Sequence, residues 1–122
     1  MSTRASICFS YGSEVEAIVY RHYDGMPEGE NCMLDSLSKF FADVEEAGRD
    51  TRFEDPTILA ARYVVWQTMA YRASSIGRGS PYCVLGVRVL TEIAIDSAYV
   101  YTVDCKRHDA NGRPVVTWKE AR

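Results

Sequence analysis

The fold is decided by residues 5–23, which read ASICFSYGSEVEAIVYRHY. Apolar and polar side chains alternate over residues 5–11 and again over residues 15–23, which is typical of β-strands with one buried face. Gly12-Ser13 lies between the two runs and indicates a turn. This stretch therefore predicts a β-hairpin at the start of the domain.

The register of the hairpin follows from keeping its apolar residues on one face. A strict two-residue loop would mix the two faces, so we expect one extra residue, either in the loop or as a bulge. The apolar residues brought together in this way are Ile7, Phe9 and Tyr11 on one strand and Val15, Ala17 and Val19 on the other. Tyr20 and His22 are then expected on the opposite face of the sheet.

The first predicted helix covers residues 31–47, with Asn31 as its N-cap and Gly48 as its C′ terminator. Its apolar stripe comprises Met33, Leu34, Leu37, Phe40, Phe41 and Val44. Glu45 and Glu46 fall in the last turn, where the helix dipole disfavours anions. A role in helix stability therefore does not explain these two acids.

The second helix is expected to begin at Asp55-Pro56, because an N-cap residue is followed there by proline at the first helical position. It runs to about residue 72 to 74. Its sequence is apolar nearly all round, which predicts a buried central helix. Residues 76–81 follow as a loop, and Gly77-Arg78-Gly79-Ser80 within it is interpreted as a turn because it lacks the glycine spacing and lysine of a phosphate-binding loop.

The C-terminal part predicts strands at residues 83–90, 98–105 and Val115–Trp118, with residues 87–95 ambiguous between strand and irregular structure. Asn111-Gly112 marks the tightest point of the turn before the last strand. The order ββααβββ predicts one α+β domain over residues 1–122, with two helices packed on one face of an antiparallel sheet.

Net charge is −3, but it is unevenly distributed. Between Asp24 and Asp55 there are ten acids and three bases, a local charge of −7, whereas the remainder carries +4. The dispersed bases do not resemble a nucleic-acid-binding patch, so the acidic segment favours a basic protein surface as the partner. No apolar run reaches the roughly 20 residues of a membrane span, and the N-terminus lacks the apolar region of a signal peptide.

The four cysteines are scattered and contain no C-x-x-C pair. They are Cys8, Cys32, Cys83 and Cys105. This spacing favours free buried thiols over a disulfide framework or a zinc site. We therefore expect a reducing, cytoplasmic location and no cofactor.

The segment with the greatest density of functional groups is YRHYDGMPEG, residues 20–29. Two glycines and a proline predict a sharply turned, pre-shaped loop. Such a loop, when it carries ionisable side chains, is where binding or catalysis is commonly found.

Three segments together resemble a family of small, mostly hypothetical proteins from phage and prophage genomes. They are the opening MSTRA, the aromatic-R-H-x-D-G-x-P-E-G string at residues 20–29, and TEIAIDSAYVYTVD at residues 91–104. Relatives tend to read T-x-I-H-G-D in the third segment, where this chain has Ala94-Ile95 in place of His-Gly. The resemblance implies a phage-borne accessory protein and supplies no activity.

The leading hypothesis is a non-enzymatic module that binds a host protein complex, as an anti-CRISPR protein does. Its contact residues are predicted in the loop and on the acidic helix. They are Tyr20, Arg21, His22, Tyr23, Asp24, Met26, Glu28, Asp43, Glu45 and Glu46.

Two alternatives remain open. The first is a small enzyme or a ligand- or metal-binding protein built on His22, Asp24 and Glu28, with Cys32 at a helix start as a possible nucleophile paired with His22. The second is a self-associating protein, such as a homodimer, that uses the terminal hairpin as an exposed edge.

Overall fold

The computed structural model of the chain describes residues 3–48, 50–72 and 86–121. The elements are β1 (Ala5–Tyr11), β2 (Glu14–Arg21), α1 (Met33–Ala47), α2 (Pro56–Arg72), β3 (Val87–Leu90), β4 (Tyr99–His108) and β5 (Pro114–Glu120). The α+β class is confirmed. The predicted loop at 76–81, the turn at Gly77–Ser80, Cys83 and the predicted strand residues 83–85 lie outside the described residues.

The five strands form one sheet in the order β3-β2-β1-β4-β5. The sheet is mixed rather than purely antiparallel, because β1 and β4 pair in parallel while the other neighbours are antiparallel. The cause is the connection at residues 91–98, which carries the chain from β3 at one edge past β2 and β1 to β4. A crossover of this kind returns a strand in the parallel direction. Alternation within each strand carries no information on the direction of its neighbours.

The register of the first hairpin agrees with the prediction of one extra residue. Ile7 pairs with Val19 and Phe9 with Ala17, and a β-bulge then shifts the register. The chain turns tightly at residues 12–13, so the extra residue lies in the bulge and not in the loop. Ala5, Ile7 and Phe9 therefore face the helices, as expected. Tyr11 and Val15 were expected on the same face, which is wrong, because beyond the bulge Tyr11 pairs with Glu14 and Val15 with Ser10, and both side chains are about half exposed.

The main core lies between this face of the sheet and the two helices. Its fully buried residues include Ile7, Phe9, Met33, Leu37, Phe40, Leu59, Tyr63, Tyr101 and Val103. One expectation is wrong: α2 is not buried all round, because Val65 and Met69 are each 60% exposed. One sheet face and one neighbouring helix cannot cover the whole circumference of α2.

Both ends of α1 differ from the sequence prediction. The N-cap is Cys32, not Asn31, and Asn31 instead adopts φ 61° while its backbone N–H donates to the Asp35 carboxylate. Gly48 ends the helix in extended backbone rather than in the left-handed conformation. The start of α2 is as predicted, since Asp55 accepts a hydrogen bond from the Ile58 N–H. Among the described residues, no helix has the length and apolar character needed to cross a membrane.

Candidate functional site

Arg21 lies under the loop that joins β2 to α1 and holds both of its ends. The side chain is only 3% exposed, on the core face of the sheet. Its Nε donates to the carbonyl of Tyr23 at 2.8 Å, and a terminal nitrogen donates to the carbonyl of Asn31 at 2.7 Å. The other terminal nitrogen lies 3.4 Å from the phenol of Tyr63. The planar guanidinium of Arg21 has donors that point in several directions, so it can bond to all three acceptors at once. A lysine ammonium in this place would not reach all of them.

Gly25 fixes the middle of this loop against the sheet. Its N–H donates to the carbonyl of Thr3 at 2.9 Å, and its own carbonyl accepts a 2.6 Å hydrogen bond from the phenol of Tyr101. A Cβ atom at this position would lie 2.7 Å from the Thr3 carbonyl oxygen and 2.9 Å from the Cβ of Ala5. Glycine is needed here for space, whereas the positive φ of the Asp24-Gly25 turn falls on Asp24.

The second half of the loop is bonded to the first turn of α1. The backbone N–H groups of Met33 and Leu34 donate to the carbonyls of Met26 and Pro27. These bonds satisfy two of the four donors that a helix N-terminus leaves open. The predicted pre-shaped loop is therefore present, and its shape comes from internal hydrogen bonds.

The predicted binding residues of the loop divide by exposure. Tyr20 and Arg21 are buried, while His22 and Tyr23 are half-buried. Asp24, Met26 and Glu28 are exposed. A partner could therefore contact Asp24, Met26 and Glu28 fully, and His22 and Tyr23 in part.

A chain of polar contacts runs across the opposite face of the sheet. Arg4 donates to the carboxylate of Asp96 at 2.9 Å, Asp96 lies close enough to Tyr20 for its charge to act on the phenol, and this phenol lies 3.0 Å from Nδ1 of His22. Burial and the charge of Asp96 raise the pKa of Tyr20. Either the phenol or Nδ1 of His22 is the donor in their contact.

This chain of contacts joins three parts of the sequence that are far apart. Arg4 comes from the opening segment, Tyr20 and His22 from the loop string, and Asp96 from the crossover segment. The crossover is fixed over the sheet by the 2.7 Å contact between the hydroxyls of Ser6 and Ser97. The sequence pattern placed Tyr20 and His22 on one face, but nothing in it indicated that Asp96 would reach them.

Cys32 lacks the environment of a reactive thiol. It is 7% exposed, and burial together with the nearby charge of Asp24 raises its pKa. A catalytic thiol needs a lowered pKa instead. Within the ranges that the structure describes, no group of three or more histidine, cysteine, aspartate or glutamate residues could hold a metal ion.

The acids predicted on α1 have different environments. Glu45 forms a two-point ion pair with Arg113 at 2.7 and 3.1 Å, and these hydrogen bonds lower its pKa. Asp43 accepts a 2.7 Å hydrogen bond from the indole N–H of Trp66 on α2. Glu46 is exposed, and no ion pair or hydrogen bond joins its side chain to another described residue.

An open groove of about 670 Å³ lies between α1 and α2. Phe40, Val44 and Ala47 line it from α1, and Asp43 and Asp50 lie at its edge. The acid predicted for binding at position 43 therefore borders an apolar surface. This surface was not foreseen from the sequence.

The α2 side of the groove is a row of apolar residues spaced four apart. Ala61, Val65 and Met69 form the row, with Trp66 beside it. All three members of the row are exposed. The sequence contained a signal for this row, because α2 has a second apolar stripe on the side away from Leu59. That stripe was interpreted as evidence that the whole helix is buried.

The chain matches no known protein-family model, no curated protein and no solved structure.

Proposed function

We propose that this chain is a non-enzymatic protein-binding module, which docks on a basic surface of a host protein complex through the groove between α1 and α2. The observation that carries the proposal is the exposed row of Ala61, Val65 and Met69. Extended apolar patches on soluble proteins commonly mark interaction sites. Aromatic and methionine side chains, here Trp66 and Met69, are enriched in such sites.

The charge at the end of the groove supports a basic partner. Asp43 and Glu46 are one turn apart on α1, and the last turn of this helix contains no basic residue. The free carbonyl groups of a helix C-terminus add partial negative charge at the same place. Arg62 also lines the groove and keeps its positive charge, because its hydrogen bonds go to the neutral carbonyls of Asp50 and Thr51. The carboxylate of Asp50 is paired with Arg52. Among the described residues at this end, the two acids Asp43 and Glu46 therefore exceed the one cation Arg62.

The proposal also includes the exposed part of the loop, which lies at the other end of α1. Met33 and Ala47 are separated by the length of α1, about 21 Å at 1.5 Å per residue. A standard interface of about 800 Å² per partner spans such a distance. Asp24, Met26 and Glu28 would then contact the periphery of the partner.

The phage-like sequence segments supply the proposed setting. We place the protein in the bacterial cytoplasm as an anti-defence accessory factor, which blocks a nucleic-acid-binding channel of a defence complex in the manner of an anti-CRISPR protein. Such channels carry many lysines and arginines, so an acidic docking module complements them.

The test uses the tagged chain expressed in a bacterium with active CRISPR immunity. Expression should restore plaque formation by a targeted phage, and affinity capture should recover a stoichiometric host protein. Val65→Lys and Glu46→Lys should abolish both effects. Val15→Lys and Glu14→Lys change exposed residues on the hairpin, away from the groove, and serve as matched controls. The proposal would be refuted if the hairpin variants lost plaque formation and partner capture as the groove variants do. It would also be refuted if the wild type gave neither plaques nor a captured partner.

The contacts from Arg4 to His22 favour a second candidate, a small-ligand or catalytic site. They place the His22 ring against the Tyr20 phenol, near the charge of Asp96, and histidine is the side chain best suited to proton transfer near neutral pH. The measurement is thermal stability of the wild type and of His22→Ala in a panel of metabolites. A compound that stabilises only the wild type would support this candidate, and an unresponsive panel would count against it.

A further inference from the structure

The row on α2 has the spacing at which one helix receives another. Ala61, Val65 and Met69 lie at positions i, i+4 and i+8, which form one of the ridges used in helix packing. The row is about 12 Å long at 1.5 Å per residue. This length accommodates two to three turns of a third helix, laid into the groove beside α1.

The floor of the groove is held in place before any partner arrives. The indole N–H of Trp66 donates to Asp43 at 2.7 Å, which joins α2 to α1. The ring of Trp66 stacks on that of Tyr63, with centroids 6.0 Å apart, and lies 5.8 Å from that of Phe40. Both neighbours are buried in the core. A partner therefore meets a preformed surface, which lowers the entropic cost of binding.

The charge distribution distinguishes between the possible occupants. The groove reaches the C-terminus of α1, where Asp43 lines it and Glu46 lies next to the lining residue Ala47. Both acids add to the partial negative charge of the helix end. A second copy of this chain would present the same acidic edge, since a two-fold interface places identical patches together. Like charges across such an interface are repulsive. An occupant with basic residues is favoured instead.

We propose that the groove binds one amphipathic helix of a partner protein, two to three turns long, with its apolar stripe on Ala61, Val65 and Met69. Lysine or arginine residues at one end of that helix lie against Asp43 and Glu46. This inference rests on the proposed function and names the structural class of its partner. Recognition of this kind uses apolar anchors at i, i+3 or i+4, and i+7.

The experiment uses Trp66 as the reporter. The chain contains two tryptophans, and Trp118→Phe on β5 leaves only the one in the groove. Two synthetic peptides of about 14 residues are compared, a length of roughly four helical turns. Both carry the same leucine stripe, and one has lysine where the other has glutamate. The basic peptide should change the Trp66 emission and bind about tenfold more tightly, or better, than the acidic one.

Salt and substitutions test the site. Raising NaCl from about 50 to about 500 mM should weaken the basic peptide by screening. Val65→Lys should abolish its binding, whereas Val15→Lys should leave it unchanged, since Val15 on β2 is 51% exposed, close to the 60% of Val65. Equal affinity for the two peptides, binding that tolerates Val65→Lys, or no binding would overturn the inference. So would a concentration-dependent dimer abolished by Val65→Lys, because the occupant would then be a second copy.

Failure of this inference is distinguishable from failure of the proposed function. Suppose that the wild type captures a host protein, that Val65→Lys loses it, and that the wild type does not bind the basic peptide. The proposed binding module would then stand, and a helical occupant of the groove would be excluded. Loss of both results would remove the module as well.

Discussion

The phenol of Tyr101 donates a 2.6 Å hydrogen bond to the carbonyl oxygen of Gly25, and this bond ties the sheet to the loop that precedes α1. Tyr101 is completely buried on β4, and Gly25 is buried beneath Thr3. The loop string and the strand segment, which are far apart in the sequence, therefore share one buried contact.

Tyr101→Phe should destabilise the protein by about 1 to 3 kcal/mol, because a buried carbonyl loses its partner while the ring remains. Urea unfolding of the two proteins measures the difference. Tyr11→Phe removes the same hydroxyl from a residue that is 48% exposed, and should change the free energy of unfolding very little. Equal effects of the two substitutions would contradict the structural role of the Tyr101 bond.

Gly25→Ala should cost about 1 to 3 kcal/mol or more, since the new methyl group would meet backbone atoms that cannot move aside. Gly48→Ala is the matched control. It has nothing within 4 Å and an extended backbone, so alanine should be neutral or should stabilise by up to about 1 kcal/mol. Thermal denaturation of both variants should give shifts of different size. A tolerated alanine at position 25 would show that the loop does not sit against Thr3 as described.

Asp104 should make the stability of the protein depend on pH. Burial works to raise the pKa of this carboxyl, but hydrogen bonds from Arg107 and from the N–H groups of Lys106 and Gly12 outweigh burial and lower it. A carboxyl with a lowered folded-state pKa stabilises the fold above its unfolded value of about 3.9, and this stabilisation is lost as the pH falls through the folded pKa.

Asp104→Asn should therefore destabilise the protein at pH 7 and should do so less at pH 3, below the unfolded value. Urea unfolding of the wild type and the variant at both values gives the difference directly. The same destabilisation at pH 7 and pH 3 would mean that the charge of Asp104 contributes nothing, and that the effect comes from the acceptor oxygen that asparagine lacks.

The described thiols should be inert in the folded protein. Burial raises the pKa of Cys8 and Cys32, and raises that of Cys105 to about 12. In a Cys83→Ser background, which removes the thiol outside the described residues, labelling with a disulfide reagent at neutral pH should be far slower in the native than in the unfolded protein. One rapidly labelled native thiol, identified as Cys32, would restore the nucleophile hypothesis.

Local patterns predicted the elements that local physics controls. Alternation along residues 5–23 gave the hairpin and its extra residue, and Asp55-Pro56 marked the start of α2. The turn at Asn111-Gly112 is also present, with φ 78° at the glycine. In each case the deciding interactions lie within a few residues of the signal.

The remaining features depend on contacts between distant parts of the chain. Arg21 was predicted as a contact residue because it belongs to the loop string at residues 20–29, yet it is buried where carbonyls of the loop converge on it. The proximity of Asp96 to Tyr20 follows from the crossover, which no alternation pattern reveals. The groove was not predicted because α2 was expected to be covered on all sides. The exposure of Val65 and Met69 depends on how much of that helix α1 and the sheet can reach.

The parallel pairing of β1 with β4 has a consequence during synthesis. Residues 5–10 bond to residues 99–104, so the strand made first waits for about ninety further residues before its second edge is covered. At a translation rate of about 5 to 20 residues per second, this wait lasts roughly 5 to 20 s. An uncovered strand edge is a template for pairing with other chains. The nascent protein therefore has a high contact order for its size, and we expect its yield in cells to depend on chaperones that shield the first hairpin on the ribosome.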